Sequence, residues 1–222
     1  MLYRFFALTA LLLAAGISAG QDLKSGPQVD EMLPGSFQPL NLNGNYAGRY
    51  HCLVCENRLN PVAVVFVKAQ AEGIDPEVKK LLEALDKVCD EHYLDTGLAS
   101  FVVFMTPDAQ SGVTEEPGRE PVKIIPEAIK REKLVKNLTD FSKPFKRLIV
   151  TCMPAENVAG KYKLANKAEV TIIEYARHRV FANFAFAEGQ LKQDGVDKAI
   201  QSIDAMLDHL KKGPKLKADK EK

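Results

Sequence analysis

Hydrophobic positions along this chain alternate between two patterns: short continuous apolar runs, and longer stretches in which apolar residues recur every three or four positions. Pro61–Lys68 (PVAVVFVK), Ala99–Met105 (ASFVVFM) and Arg147–Met153 (RLIVTCM) are runs of the first kind. Such runs predict strands covered on both faces. Between the first two, Asp75-Pro76-Glu77 supplies an N-cap, a first-turn proline and a first-turn acid. Val78, Leu81, Leu82, Leu85, Val88 and Cys89 then fall on one helical stripe that fades from Leu94 to Gly97. Pro126–Leu138 predicts a second helix with a charged outer face, after a loop over residues 107–120. Ala155–Leu164 predicts a short helix. Val170–Ala176 and Arg179–Phe186 predict a hairpin turning at Arg177-His178, and Asp194 is placed to cap a last helix carrying Val196, Ile200, Ile203, Met206, Leu207 and Leu210.

Strands separated by amphipathic helices argue a layered α/β domain. The three early strands need right-handed helical crossovers and should lie parallel; the closing hairpin adds an antiparallel edge. Residues 21–60, rich in Gly, Pro and Asn, predict an irregular N-terminal extension with only short extended pieces such as Phe37–Leu42. The domain proper is expected over 61–212 and a charged, disordered tail over 213–222.

The chain opens differently. Arg4, an apolar run from Phe5 to Ala15, and the small residues Gly16, Ser18, Ala19 and Gly20 form the three-part pattern of a secretory signal peptide over residues 1–20. The run is shorter than the about 20 apolar residues that a spanning helix needs, so no stable membrane insertion is expected after cleavage. Export to a periplasmic or extracellular space follows as an expectation, and such compartments let disulfides persist. With 30 Lys+Arg against 29 Asp+Glu, the chain carries no electrostatic footprint for nucleic acid. It has no phosphate-cradling glycine loop and no serine nucleophile elbow, and no cofactor is expected. Glu115, Glu116 and Glu120 fall in a loop and define no catalytic pair, while His178 and His209 fit surface positions. Asn137-Leu138-Thr139 is a glycosylation acceptor only in a eukaryotic secretory route.

The lead-in GPQVDEMLPGSFQPLNLNG (26–44), the strands PVAVVFV and SFVVFM, and EGQL after the hairpin resemble the thioredoxin-like superfamily, in its exported peroxiredoxin/thiol-specific antioxidant branch. The resemblance implies a three-layer sandwich with a central mixed sheet, a C-terminal antiparallel hairpin and a final helix. It also implies a reactive cysteine just after the first central strand and a cis-proline before the fourth. This sequence has neither: Ala69–Asp75 (AQAEGID) holds no Cys, Ser or Thr, and no proline stands near Glu169-Val170-Thr171.

The chemistry therefore rests on four cysteines. Cys52-Leu53-Val54-Cys55 is a CxxC that precedes the first central strand. A strand of eight residues is about 25 Å long, so the motif should lie at the sheet edge opposite the family site. His51, Arg49 and Arg58 surround it, and positive charge favours a thiolate. Three readings stand open. One is a thiol–disulfide oxidoreductase acting on protein thiols or disulfides, with Cys52 as nucleophile and Cys55 as resolving partner. Another is a non-catalytic binding or scaffold domain with a structural disulfide or two buried thiols. The third is a zinc site completed by Cys89 and His92, although Cys89 also continues the apolar stripe of its helix. Cys152 fits a packed strand residue or a lone reactive thiol. Tyr46, Tyr50 and Tyr93 either line a contact near the CxxC or pack an irregular segment.

Overall fold

The apolar run after Pro61 becomes the centre of a six-stranded sheet. The computed structural model describes residues 23–68, 73–110 and 121–212, without the side chains of 121–125. The expected signal peptide, most of the 107–120 loop and the charged tail lie outside the described residues. In chain order the elements are β1 (Leu40–Asn41), α1 (Leu53–Asn57), β2 (Val62–Lys68), α2 (Pro76–Thr96), β3 (Ala99–Met105), α3 (Pro121–Ser142), β4 (Ile149–Met153), α4 (Ala159–Tyr162), β5 (Val170–Ala176), β6 (Arg179–Phe186) and α5 (Gln193–Lys212). The sheet order is β1-β4-β3-β2-β5-β6. The expected parallelism holds for β2, β3 and β4, with β5 antiparallel to β2 and β6 antiparallel to β5. This is a mixed α/β architecture of the thioredoxin-like kind.

Strand alternation sorts the core into two layers. Ala63, Val65, Val67, Val102, Phe104 and Ile172 face the stripe of α2 and the Ile203-Met206-Leu207 face of α5. Val62, Val64, Phe66, Phe101, Val103, Ile173 and Tyr175 face the other way, onto Phe37, Leu53, Val54 and Tyr162. The second layer is thus built largely by the segment before β2, which sequence patterning reads as an extension. Its buried Phe37 touches Phe66, Phe101 and Tyr162 at ring-centroid distances of 5.7, 6.2 and 5.2 Å.

Several element ends follow local chemistry. Asp75 Oδ1 accepts the Glu77 and Val78 amides at 2.7 and 3.3 Å, the expected N-cap of α2, and Gly97 closes that helix at φ 68°. The hairpin turns at Arg177 and His178, φ 52° and 61°, the paired left-handed geometry that matches strand twist.

Other ends differ from the sequence expectation. α3 begins at Pro121 with Pro126 inside it, where the ring removes one helical donor without ending the helix. β4 begins at Ile149 and not Arg147, because Asp86 on α2 takes the Lys146, Arg147 and Leu148 amides at 3.2, 2.7 and 2.8 Å. The stretch expected as one helix over 155–164 splits into a 3-10 turn (Ala155–Asn157) and the four-residue α4, which Lys163 ends at φ 54°. Asp194 lies in the first turn of α5 and not at its cap, since the helix already starts at Gln193.

Candidate redox site at the amino-terminal ends of the parallel strands

The CxxC opens α1, a five-residue helix that sequence patterning does not reveal. Its N-cap is Cys52, whose Sγ accepts the Cys55 amide at 3.1 Å, the place where a serine or aspartate oxygen more often sits. Asn57 Nδ2 donates to the Leu53 carbonyl at 2.9 Å, and Leu53 and Val54 anchor the helix in the apolar layer. A cysteine cap and one turn of helix carry no periodic signal. The clue available in the sequence was the apolar Leu53-Val54 pair directly after a sulfur able to accept a hydrogen bond.

Cys52 and Cys55 are joined in a disulfide, with Cα atoms 5.3 Å apart. The two sulfur-bearing residues differ in access: Cys52 is 7% exposed, whereas Cys55 is exposed. His51 does not stand free beside the pair. Its Nε2 lies 3.1 Å from Glu56 Oε2 and its ring stacks on Tyr46 at 3.5 Å between centroids.

Next to α1 a groove of about 240 Å³ is lined by Leu53, Glu56, Asn57, Tyr46, Tyr93 and Arg147, among others. Ala99, Ser100 and Ile149 also line it, which fixes the site at the starts of β3 and β4. The Arg147 guanidinium lies 4.0 Å above the Tyr93 ring and bonds Asp90 Oδ1 at 3.0 Å. The Arg147 bond, then that of Lys146, holds the Asp90 carboxyl below its ordinary range. Of the three tyrosines read from the sequence, Tyr46 and Tyr93 line this groove, while Tyr50 is exposed and bridges to Leu40.

The opposite end of the sheet carries a different cavity. Lys68, Gly73, Asp75, Phe104, Thr106 and Phe141 are among the residues lining a space of about 820 Å³ where β2 hands over to α2. Gly73-Ile74-Asp75 brings no thiol to this corner, and there is no cis peptide bond among the described residues. Residues 69–72 lie outside the described residues.

The remaining cysteines do not join the CxxC. Cys89 is fully buried on the α2 face of the sheet, and Cys52 packs on the other face. Burial pushes the Cys89 thiol up to about 12, against the lowering bond of Ser100, and pushes Cys152 up to about 11. Both are protonated packing residues at neutral pH. His92 Nε2 faces Asp204 of α5 at 3.8 Å. The Cys52–Cys55–Cys89–His92 zinc set therefore does not assemble, and among the described residues no cluster of three or more His, Cys, Asp or Glu is placed to hold a metal.

No family model matches the chain, and no curated protein matches it. Solved structures do. The reduced 2-Cys peroxiredoxin of Plasmodium vivax superposes with a TM-score of 0.52 at 14% identity, over 83% of this chain and 99% of that one. The mitochondrial 2-Cys peroxiredoxin of Plasmodium falciparum gives 0.52 at 10% identity, over 83% and 96%. Peroxidoxin BcpB of Mycobacterium tuberculosis gives 0.50 at 14%, over 83% and 98%. At such identities the likeness is one of fold, and the fold is thioredoxin-like.

Proposed function

We propose that this protein is an exported thioredoxin-like thiol–disulfide oxidoreductase that works through Cys52 and Cys55 on the thiols or disulfides of other proteins. One observation carries the reading: a Cys52–Cys55 bridge in a thioredoxin-like fold, with one of its two residues open to solvent. Redox chemistry at a solvent-reached disulfide needs no cofactor, because an incoming thiolate supplies the electrons. The peroxiredoxin names of the fold neighbours point to thiol chemistry in this architecture. The peroxidase type is disfavoured here, since Gly73-Ile74-Asp75 and the preceding AQAE contain no cysteine. Export to the periplasm or beyond rests on the Phe5–Ala15 run and its flanks.

A second reading has its own support. Cys52 is packed in the apolar layer with Phe37, Leu53 and Val54, as a structural bridge in a binding or scaffold domain would be. Catalysed reduction of insulin by dithiothreitol separates the two. The oxidoreductase reading expects activity in the parent chain and its loss in Cys52→Ser and in Cys55→Ser. An inactive parent, or activity that survives both substitutions, supports the scaffold.

A further inference from the structure

We infer that the exchange runs in the reverse polarity to the one its sequence order suggests: Cys55 is the sulfur that exchanges with substrate, and Cys52 is the buried leaving and resolving thiolate. This rests on the exchange reading above and assigns its two roles. Attack on a disulfide requires access to the sulfur attacked. Cys55 is exposed on α1, while Cys52 is 7% exposed and belongs to the apolar cluster of Phe37, Leu53 and Val54. Exposure of the residue thus makes Cys55 the half of the bridge that an incoming thiolate approaches.

The step balances within the pair. The substrate thiolate forms a bond to Cys55 Sγ, the Cys52–Cys55 bond breaks, and its electron pair leaves on Cys52 as a thiolate. The reverse step has Cys52 attack the mixed disulfide at Cys55 and expel the substrate thiolate. A further substrate thiolate attacking the substrate sulfur of that mixed disulfide completes two-electron reduction of the pair and releases oxidised substrate. Leaving-group quality is set by how well the departing sulfur carries charge. Cys52 Sγ already accepts the Cys55 amide at 3.1 Å, and that bond strengthens as the sulfur becomes anionic. The Cys55 amide that donates to the Cys52 cap of α1 is thus also the group that stabilises the leaving thiolate.

The test reads both sulfurs in the unmutated protein. Reduced chain is treated with less than one equivalent of iodoacetamide under native conditions, quenched in acid, and the singly alkylated product mapped by mass spectrometry. Cys55 is expected to carry the label in at least about tenfold excess over Cys52, and the excess should vanish in denaturant. In parallel, reduced Cys55→Ser and Cys52→Ser chains are offered glutathione disulfide, which the remaining thiolate attacks with loss of one glutathione thiolate. Only Cys52→Ser, which keeps Cys55, is expected to accumulate the mixed disulfide readily. Equal labelling, or preferential labelling of Cys52, overturns the assignment while leaving exchange itself intact. A parent disulfide that dithiothreitol does not open under native conditions removes the exchange reading, and this assignment with it.

Discussion

Replacing Glu174 by Gln is expected to flatten the pH dependence of stability between about pH 5 and 8, and to make the protein more stable than its parent at the alkaline end. Glu174 sits on β5 with no solvent exposure, facing α5, where Ser202 Oγ donates to its Oε2 at 2.5 Å. Its other oxygen has no partner among the described residues. Burial raises its carboxyl from 4.5 to about 8, only partly offset by the Ser202 bond. The sign follows from linkage. Below pH 4.5 the group is neutral in both states and its contribution to stability is complete. As pH rises the unfolded chain ionises first, so stability falls by about 1.4 kcal/mol per pH unit until the folded carboxyl itself ionises. Asp90 and Asp140, whose carboxyls are held low by Arg147 and Lys136 respectively, act below pH 3.8 and leave this window alone. Urea midpoints of both proteins across the range check it. Parallel slopes for Glu and Gln would show that Glu174 ionises freely in the folded chain.

The second large effect is expected from Phe66→Ala. Phe66 is fully buried in β2, and its ring lies 5.7 Å from Phe37 and 5.3 Å from Tyr162. Removing it opens a cavity that the strand cannot collapse, because β3 and β5 hold β2 from both sides. The loss should be about 3–5 kcal/mol, which lowers Tm on the order of 10 °C for a chain of this size. Phe37 belongs to the segment that leads into α1, so the loosened layer is the one beneath the disulfide. Differential scanning calorimetry reads the shift. A drop under about 3 °C would mean that the N-terminal segment repacks over the gap and is not held by Phe66.

What the residues revealed in advance divides along a physical line. Ala99–Met105 and Val170–Ala176 match their strands residue for residue, because continuous apolar runs with branched and aromatic side chains carry their own signal. Asp75-Pro76 and Gly97 mark α2 for the same reason, since caps are local chemistry. Features that depend on distant partners were not legible. Nothing around Asp86 says that its carboxylate gathers three amides more than fifty residues away. Glu174 reads as the charged member of VTIIEYA, and the docking of α5 against it is not visible in the sequence. At the candidate site, the position of the CxxC at the starts of the parallel strands follows from its precedence to β2. Which cysteine faces water does not, because that depends on Cys52 being taken into the apolar layer that holds Phe37 and Leu53. The separation of Cys89 from the CxxC was hidden similarly: spacing gives a plausible ligand set, and only the sheet between them shows that it cannot close.

The proposed activity is tested most directly by the reduction potential of the Cys52–Cys55 pair, read by mass spectrometry after equilibration of the full chain in defined glutathione buffers. An exchangeable catalytic pair should titrate at a potential less negative than about −300 mV. A pair that stays oxidised throughout and titrates below that value would be a structural bridge, and would contradict the account.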